Sequence, residues 1–243
     1  MGFREIYYPE TEYGGFTKVD GTIAFYVRVN ALLRPDFTVL DYGCGRGEYQ
    51  SDPVIFRRKL RIIQSKVNAV IGVDPDPSAS SNPFLDAFHL LDEQGKWPLD
   101  DRSVDLCLCD WVLEHIQEPQ RFFSEAERVI KKGGYLCIRT SNKWSYPSIF
   151  SRLIPERFHS NILTSVQNER KDVDIFPAYY KCNTKRKISE NLDSIGFSHC
   201  VYTHESEPSY LESSRILYFL GVLYRKIVPP FFASSIFAFA KRE

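Results

Sequence analysis

A doubly wound α/β fold around a mostly parallel sheet is what this 243-residue sequence predicts, and three stretches carry the prediction. Residues 39–47, Val39-Leu40-Asp41-Tyr42-Gly43-Cys44-Gly45-Arg46-Gly47, run from apolar residues through an acid into three glycines at alternate positions. That is the pattern of a short buried strand breaking into a tight, open-faced turn, because glycine accepts positive φ and lets a ligand approach the backbone. Ala69-Val70-Ile71-Gly72-Val73-Asp74 is a second apolar run ending in an acid, and the pair suits one strand–helix–strand unit. Residues 104–109 are almost uninterruptedly apolar and end in Asp110-Trp111, as expected of a central parallel strand buried on both faces.

The remaining elements follow in chain order. Residues 1–20 are rich in aromatics and turn formers. They read either as an arm packed on the domain or as a lid in which Tyr7, Tyr8, Tyr13 and Phe16 close over a ligand about a Gly14-Gly15 hinge. Asp20 is placed to cap a helix over 21–33, with Ile23, Ala24, Val27, Leu32 and Leu33 on or near its apolar face. The first strand is then 38–42. A helix over 47–65 carries Tyr49, Phe56, Leu60, Ile63 and Val67 toward the sheet, with Pro53 near its start where a missing N–H matters less. The second strand is 69–73, and the proline- and serine-rich stretch after Asp74 opposes a regular helix. A third strand is expected at 84–90.

Pro119 opens a helix to about residue 132, with Phe122, Phe123, Ala126, Val129 and Ile130 at apolar-face spacing and Lys131-Lys132-Gly133-Gly134 as its stop. The fifth strand is 135–140. Residues 141–183 lack sustained periodicity. Thr184 caps a helix closed by Gly196, and 197–203 and 235–240 read as strands. Between those two strands the apolar run at 216–224 is too short to cross a bilayer, which needs about 20 residues. Simple packing, a dimer contact or a lipid-facing lip are the roles left to it.

Composition narrows the partners. Thirty-one basic and 31 acidic residues cancel, which speaks against a nucleic-acid substrate because phosphate binding needs a basic field. Six scattered cysteines show neither a CxxC pair nor a Cys/His cluster with zinc spacing, so no metal and no disulfide is expected. The chain opens without an apolar leader, and a reduced, cytoplasmic setting is the expectation.

Taken together, VLDYGCGRG, IGVDPD, the 103–116 stretch and Val129-Ile130-Lys131-Lys132-Gly133-Gly134-Tyr135-Leu136-Cys137-Ile138 resemble the class I S-adenosylmethionine-dependent methyltransferases, of the type 11/type 12-like kind found in bacterial surface-glycan and natural-product clusters. The resemblance implies a seven-stranded Rossmann-like sheet with an antiparallel final strand and inserted substrate-cap segments. It divides a single domain into an arm and helix (1–37), a cofactor-binding core (38–140), an acceptor-pocket insertion (141–183) and a C-terminal part (184–243) with an apolar helical insertion at 208–230. It implies S-adenosyl-L-methionine as cofactor and S-adenosyl-L-homocysteine as product. Gly43, Cys44, Gly45 and Gly47 would approach the cofactor by backbone, Asp41 would receive the methionine ammonium, and Asp74 would hold the ribose diol. Asp92 or Glu93 would read the adenine, and Asp110 would touch the methionine moiety or the substrate.

The chemistry at the acceptor side is less constrained. An insertion at 141–183 lies over the cofactor mouth in this architecture, so it is assigned the acceptor pocket, with a packed surface excursion as the other reading. There Arg157 and His159 offer an anion anchor and a general base, since imidazole titrates near neutral pH. His115, which reads either as a residue positioning the helix or as the base, and Tyr180 are further catalytic candidates. The chain lacks the Asn/Asp-Pro-Pro-Tyr/Phe motif of amino methylation after its fourth strand, and the 9–26 and 176–180 runs resemble the same cluster enzymes. O-methylation of a small-molecule or saccharide hydroxyl, by in-line transfer, is the resulting expectation, in a monomer or homodimer with peripheral membrane contact at most. Two alternatives are a catalytically silent subunit that binds a partner through 215–239, and a nicotinamide-dependent oxidoreductase. The second would need G-x-G-x-x-G where this chain has G-x-G-x-G.

Overall fold

The computed structural model describes residues 3–92, 95–153 and 177–243. Seven strands form one sheet: β1 Thr38–Tyr42, β2 Ala69–Asp74, β3 Ala87–Leu90, β4 Val104–Asp110, β5 Ile130–Ser141, β6 Phe197–His204 and β7 Ser235–Arg242. Their order is β3-β2-β1-β4-β5-β7-β6. The first five run parallel, and β7 is antiparallel to both its neighbours. Strand order therefore reverses between β1 and β4, and in open α/β sheets the crevice at the carboxyl ends of the strands flanking that reversal is where ligands bind. The 43–47 turn and the end of β4 both open there.

The described helices are α1 Phe3–Tyr7, α2 Gly21–Leu32, α3 Ile55–Arg61, α4 Pro119–Val129, α5 Tyr146–Leu153, α6 Lys185–Ser194 and α7 Arg215–Ile227. Helices cover both faces of the sheet. On one face Trp97, Phe122, Phe123, Ala126, Ile188 and Leu192 close over Leu40, Tyr42 and Cys107, with the Tyr42 and Trp97 rings 4.5 Å apart. On the other, Phe25, Tyr26 and Val29 of α2 pack with Ile63 against Val39, Leu106, Leu108 and Phe237. Alternating residues of β1 thus serve opposite layers, which is why its central residues are fully apolar.

Local signals set most boundaries. Asp20 accepts from Ile23 N at 2.9 Å and starts α2; Thr184 and Ser214 cap α6 and α7 in the same way. A side-chain oxygen there satisfies a backbone N–H that has no partner within the helix. Four expectations need correction. The helix expected over 47–65 is a 3₁₀ turn, Glu48–Ser51, followed by the short α3: Pro53 interrupts it and Asp52 caps Val54 N at 2.9 Å, so Phe56 points out and meets Phe16 at 5.6 Å. The buried face of α2 is Phe25, Tyr26 and Val29, while Val27 is exposed. The third strand is confined to Ala87–Leu90, because Asn82 and Phe84 fold back on the glycine turn. The fifth begins at Ile130, which pairs with Val104 across a register irregularity, so Lys131-Lys132-Gly133-Gly134 lies in the strand rather than ending the helix.

Candidate functional site

The glycines of the 43–47 turn are required by the backbone. Gly43, Gly45 and Gly47 have φ of +73°, +53° and +76°, a left-handed conformation that costs an L residue roughly 1 kcal/mol or more. A side chain on Gly43 would strike Val112, and one on Gly47 would strike Asn82, whereas one on Gly45 would enter open space. The turn is therefore fixed on two sides and open on the third. Gly43 N donates to Val73 O at 2.7 Å, and Asn82 Nδ2 donates to the carbonyls of Cys44 and Gly45 at 3.1 Å each. Cys44 itself is buried, and burial pushes its thiol pKa up.

Two acids flank this turn on adjacent parallel strands. Asp74, at the end of β2, accepts from Gly45 N at 3.0 Å and from Asp76 N at 2.8 Å; burial raises its pKa. An ionised carboxylate has about four acceptor sites, so each oxygen keeps a lone pair. Asp41 is paired in register with Gly72 of β2, and its carboxylate makes no hydrogen bond or ion pair with the described residues. Burial and the neighbouring charges of Asp110 and Asp74 push its pKa up to about 7, against the pull of Arg61. A half-buried carboxylate without a hydrogen-bonding partner, beside other acids, suits a cationic group brought by a ligand.

Asp110 does otherwise than expected. It receives Arg139 Nε at 2.6 Å, Arg139 Nη2 at 2.7 Å and the Tyr26 hydroxyl at 2.9 Å. Burial opposes its ionisation, but Arg139 more than offsets this and its pKa is lowered. Both oxygens are engaged, so Asp110 is held in a buried ion pair that braces the end of β4. Arg139, only 2 % exposed, also donates to Thr22 Oγ1 at 2.8 Å and lies 5.3 Å from the Trp111 ring centroid.

Beyond Asp110 the chain turns sharply. Trp111 has φ +58° and Tyr180 φ +50°, two bulky residues in a region they rarely adopt outside functional or over-determined sites. Residues 113–115 form a 3₁₀ turn. The Glu114 carboxylate accepts from Thr140 Oγ1 at 2.7 Å and Ser141 Oγ at 3.0 Å, and its carbonyl accepts from Tyr179 N and Tyr180 N. Asn183 Nδ2 donates to Thr140 Oγ1 at 2.6 Å. This network ties residues 177–183 to the ends of β4 and β5. His115 Nδ1 lies 3.0 Å from Pro177 O; a carbonyl only accepts, so Nδ1 is the donor in this contact.

Of the other predicted residues, Asp92 follows β3, is exposed, and lines a cleft of about 610 Å³ with His89, Lys96 and Trp97. That cleft does not include the glycine turn. Glu93, Arg157 and His159 lie outside the described residues. Tyr7 and Tyr8 pack against Tyr218 of α7 at 5.9 and 6.5 Å, and Tyr13 is exposed. Three site residues escaped the sequence reading: Asn82, Tyr26 and Arg139. Asn82 sits in a Ser-Ser-Asn-Pro stretch that signals only a loop, and the other two lie inside regular elements where nothing local marks a long-range partner. Among the described residues no group of His, Cys, Asp and Glu is arranged to hold a metal ion.

Comparison with known proteins bears on this geometry. Residues 40–138 match the family model described as a methyltransferase domain. A probable S-adenosylmethionine-dependent methyltransferase of Mycolicibacterium smegmatis is 30% identical over 135 residues, 53% of this chain and 47% of that protein. A malonyl-[acyl-carrier protein] O-methyltransferase of a Marinomonas strain is 29% identical over 115 residues, 46% of this chain and 40% of that protein. The matches thus span less than half the length of each of these relatives. The crystal structure of a SAM-dependent methyltransferase from Archaeoglobus fulgidus superposes with a TM-score of 0.55 at 18% identity, covering 96% of this chain and 97% of that one; at that identity the likeness establishes the fold.

Proposed function

We propose that this chain, which belongs to the class I S-adenosylmethionine-dependent methyltransferases through its domain at residues 40–138, binds S-adenosylmethionine on the 43–47 turn and O-methylates a small-molecule or saccharide hydroxyl. The observation that carries this reading is the placement of Asp41 on β1 and Asp74 at the end of the adjacent β2, on either side of the glycine turn in sequence, with Gly45 N–H on Asp74 and open space where a Gly45 side chain would lie.

The residues present fit the cofactor. Asp41, without a hydrogen-bonding partner, would take the methionine ammonium, and the remaining lone pairs of Asp74 would take the ribose hydroxyls. Gly45 leaves the space a side chain would fill. Asp92 is the described candidate for the adenine amino group. The sulfonium supplies an already activated methyl group, so the chain has to orient the acceptor, exclude water and remove one proton. His115, whose Nδ1 lies 3.0 Å from Pro177 O, is our candidate for that proton. Tyr180, held in its strained conformation against Glu114 O, would border the acceptor. An oxygen acceptor is favoured by the absent amino-methylation motif and by the name of the Marinomonas relative, which is an O-methyltransferase.

The test is S-adenosylhomocysteine release with a panel of sugars, polyols and phenols beside amines and thiols. We expect methyl transfer to a hydroxyl, with His115→Ala lowering kcat by about 10²-fold or more, as loss of a general base does. Transfer to amines or thiols alone would overturn the O-specific reading.

A further inference from the structure

We propose that α7 and the turn after it form a docking face for an anionic lipid bilayer, set at the same end of the sheet as the glycine turn. The first observation is an apolar stripe that stays about half exposed or more although Tyr7 meets Phe219 at 6.1 Å and Trp144 stacks on Phe231. Ile216, Phe219, Leu220, Leu223 and Ile227 recur at helical spacing and are 73%, 47%, 50%, 45% and 71% exposed, and Phe231 extends the stripe at 57%. The opposite side of the helix is the packed one: Tyr218 and Val222 are buried with Tyr8. Gly221 admits Pro208 and Leu211 so closely that a side chain there would collide with both. Scattered single apolar residues on a surface need no explanation, but a contiguous row of this kind marks a binding surface.

The charge on this face identifies the occupant. Arg215 and Lys226 stand exposed at the two ends of the helix, and the helix and the turn after it contain no Asp or Glu; the acid just before it, Glu212, lies 3.9 Å from Arg4. A helix with a large exposed apolar face whose own charged residues are all basic is the pattern that lies in a bilayer interface and is drawn to anionic headgroups. A second copy of the chain would place like charges together at the helix ends. No helix among the described residues is long and apolar enough to cross a membrane, so contact along the surface is the mode available.

Topology fixes the orientation. β6 runs parallel to β5 and ends at His204, while β7 starts at Ser235 opposite Ser141, the last residue of β5. The whole 205–234 connection therefore sits at the carboxyl end of the parallel strands. Trp144, just past β5, stacks on Phe231 with centroids 6.0 Å apart, and Tyr146 meets Tyr224 at 5.2 Å. A bilayer on α7 would lie beside the mouth of the crevice, so an acceptor carried by a lipid would reach it without leaving the interface.

Cosedimentation of the full chain with phosphatidylcholine vesicles, with and without phosphatidylglycerol, tests this without cofactor or acceptor, so its failure is distinct from failure of the methyltransferase reading. The wild-type chain should pellet with the phosphatidylglycerol vesicles and be released by high salt. Leu220→Asp with Leu223→Asp should cut partitioning by about tenfold or more, equivalent to about 1.4 kcal/mol, and Arg215→Glu with Lys226→Glu should remove the preference for phosphatidylglycerol. Circular dichroism and thermal melts unchanged from wild type would show that these exposed substitutions leave the fold intact. Three results would overturn the proposal: no wild-type binding to anionic vesicles at low salt, equal binding of the aspartate variant, or a concentration-dependent dimer that the aspartate variant abolishes.

Discussion

Arg139→Leu should lower the free energy of unfolding by about 3–5 kcal/mol, the cost of leaving one member of a buried ion pair without its partner. In this position the stranded group is Asp110, whose two oxygens take donors at 2.6 and 2.7 Å from a guanidinium that is itself almost fully buried. Urea denaturation at pH 7 reads the loss, and for a domain of this size it corresponds to roughly 6–20 °C in Tm. Tyr26→Phe removes one hydrogen bond to the same carboxylate and should cost about 1 kcal/mol. The pH dependence has a definite sign. Because the folded pKa of Asp110 is depressed, its contribution is present above the ordinary aspartate pKa and is lost as pH falls through the lower folded value. A loss below about 1 kcal/mol for Arg139→Leu would mean that the pair is hydrated and that the end of β4 is not braced as described.

Asp41 should behave in the opposite way. Its pKa of about 7 lies above that of an unfolded aspartate, so ionising it works against the folded chain and any stability it contributes is lost as pH rises through about 7. Asp41→Asn should therefore stabilise the ligand-free protein at pH 8, by about 1–2 kcal/mol after allowance for partial solvent contact. The same substitution should cost the most in cofactor binding. A cationic ligand needs the carboxylate, so wild-type affinity should fall toward about tenfold per pH unit below pH 7, with proton release on binding. The asparagine variant should bind at least about 10²-fold more weakly at pH 8, some 2.7 kcal/mol, and with a flat pH profile. Calorimetry in buffers of different ionisation enthalpy measures both quantities. Wild-type affinity independent of pH between 6 and 8 would detach Asp41 from the ammonium.

Stability and binding thus pull against each other at this residue, as expected where a site is built for a group the protein does not itself carry. The same contrast explains what could be read from the chain. Gly43, Gly45 and Gly47 were legible because alternate glycines after a strand have few other uses, and all three adopt the left-handed conformation. Asp20, Thr184 and the apolar face of α4 were legible because caps and helical spacing act over three or four residues. Long-range partners were not. Asp110 looked like a ligand residue because it ends a central strand, yet its partners lie 84 and 29 residues away in Tyr26 and Arg139, and no local pattern encodes them. Helix α7 shows the remaining gap: its helical spacing was readable, but which side would be buried depended on Tyr8 and Pro208, which approach it from elsewhere in the chain.

The central claim, that the 43–47 turn with Asp41 and Asp74 is an S-adenosylmethionine bed, is tested most directly by isothermal titration of that cofactor into wild type and Asp74→Ala. We expect micromolar binding to wild type, weakened by about tenfold or more in the variant, on the order of 1.4 kcal/mol, with the variant's melting curve close to wild type. No detectable binding to folded wild-type protein, or equal binding by the variant, would contradict it.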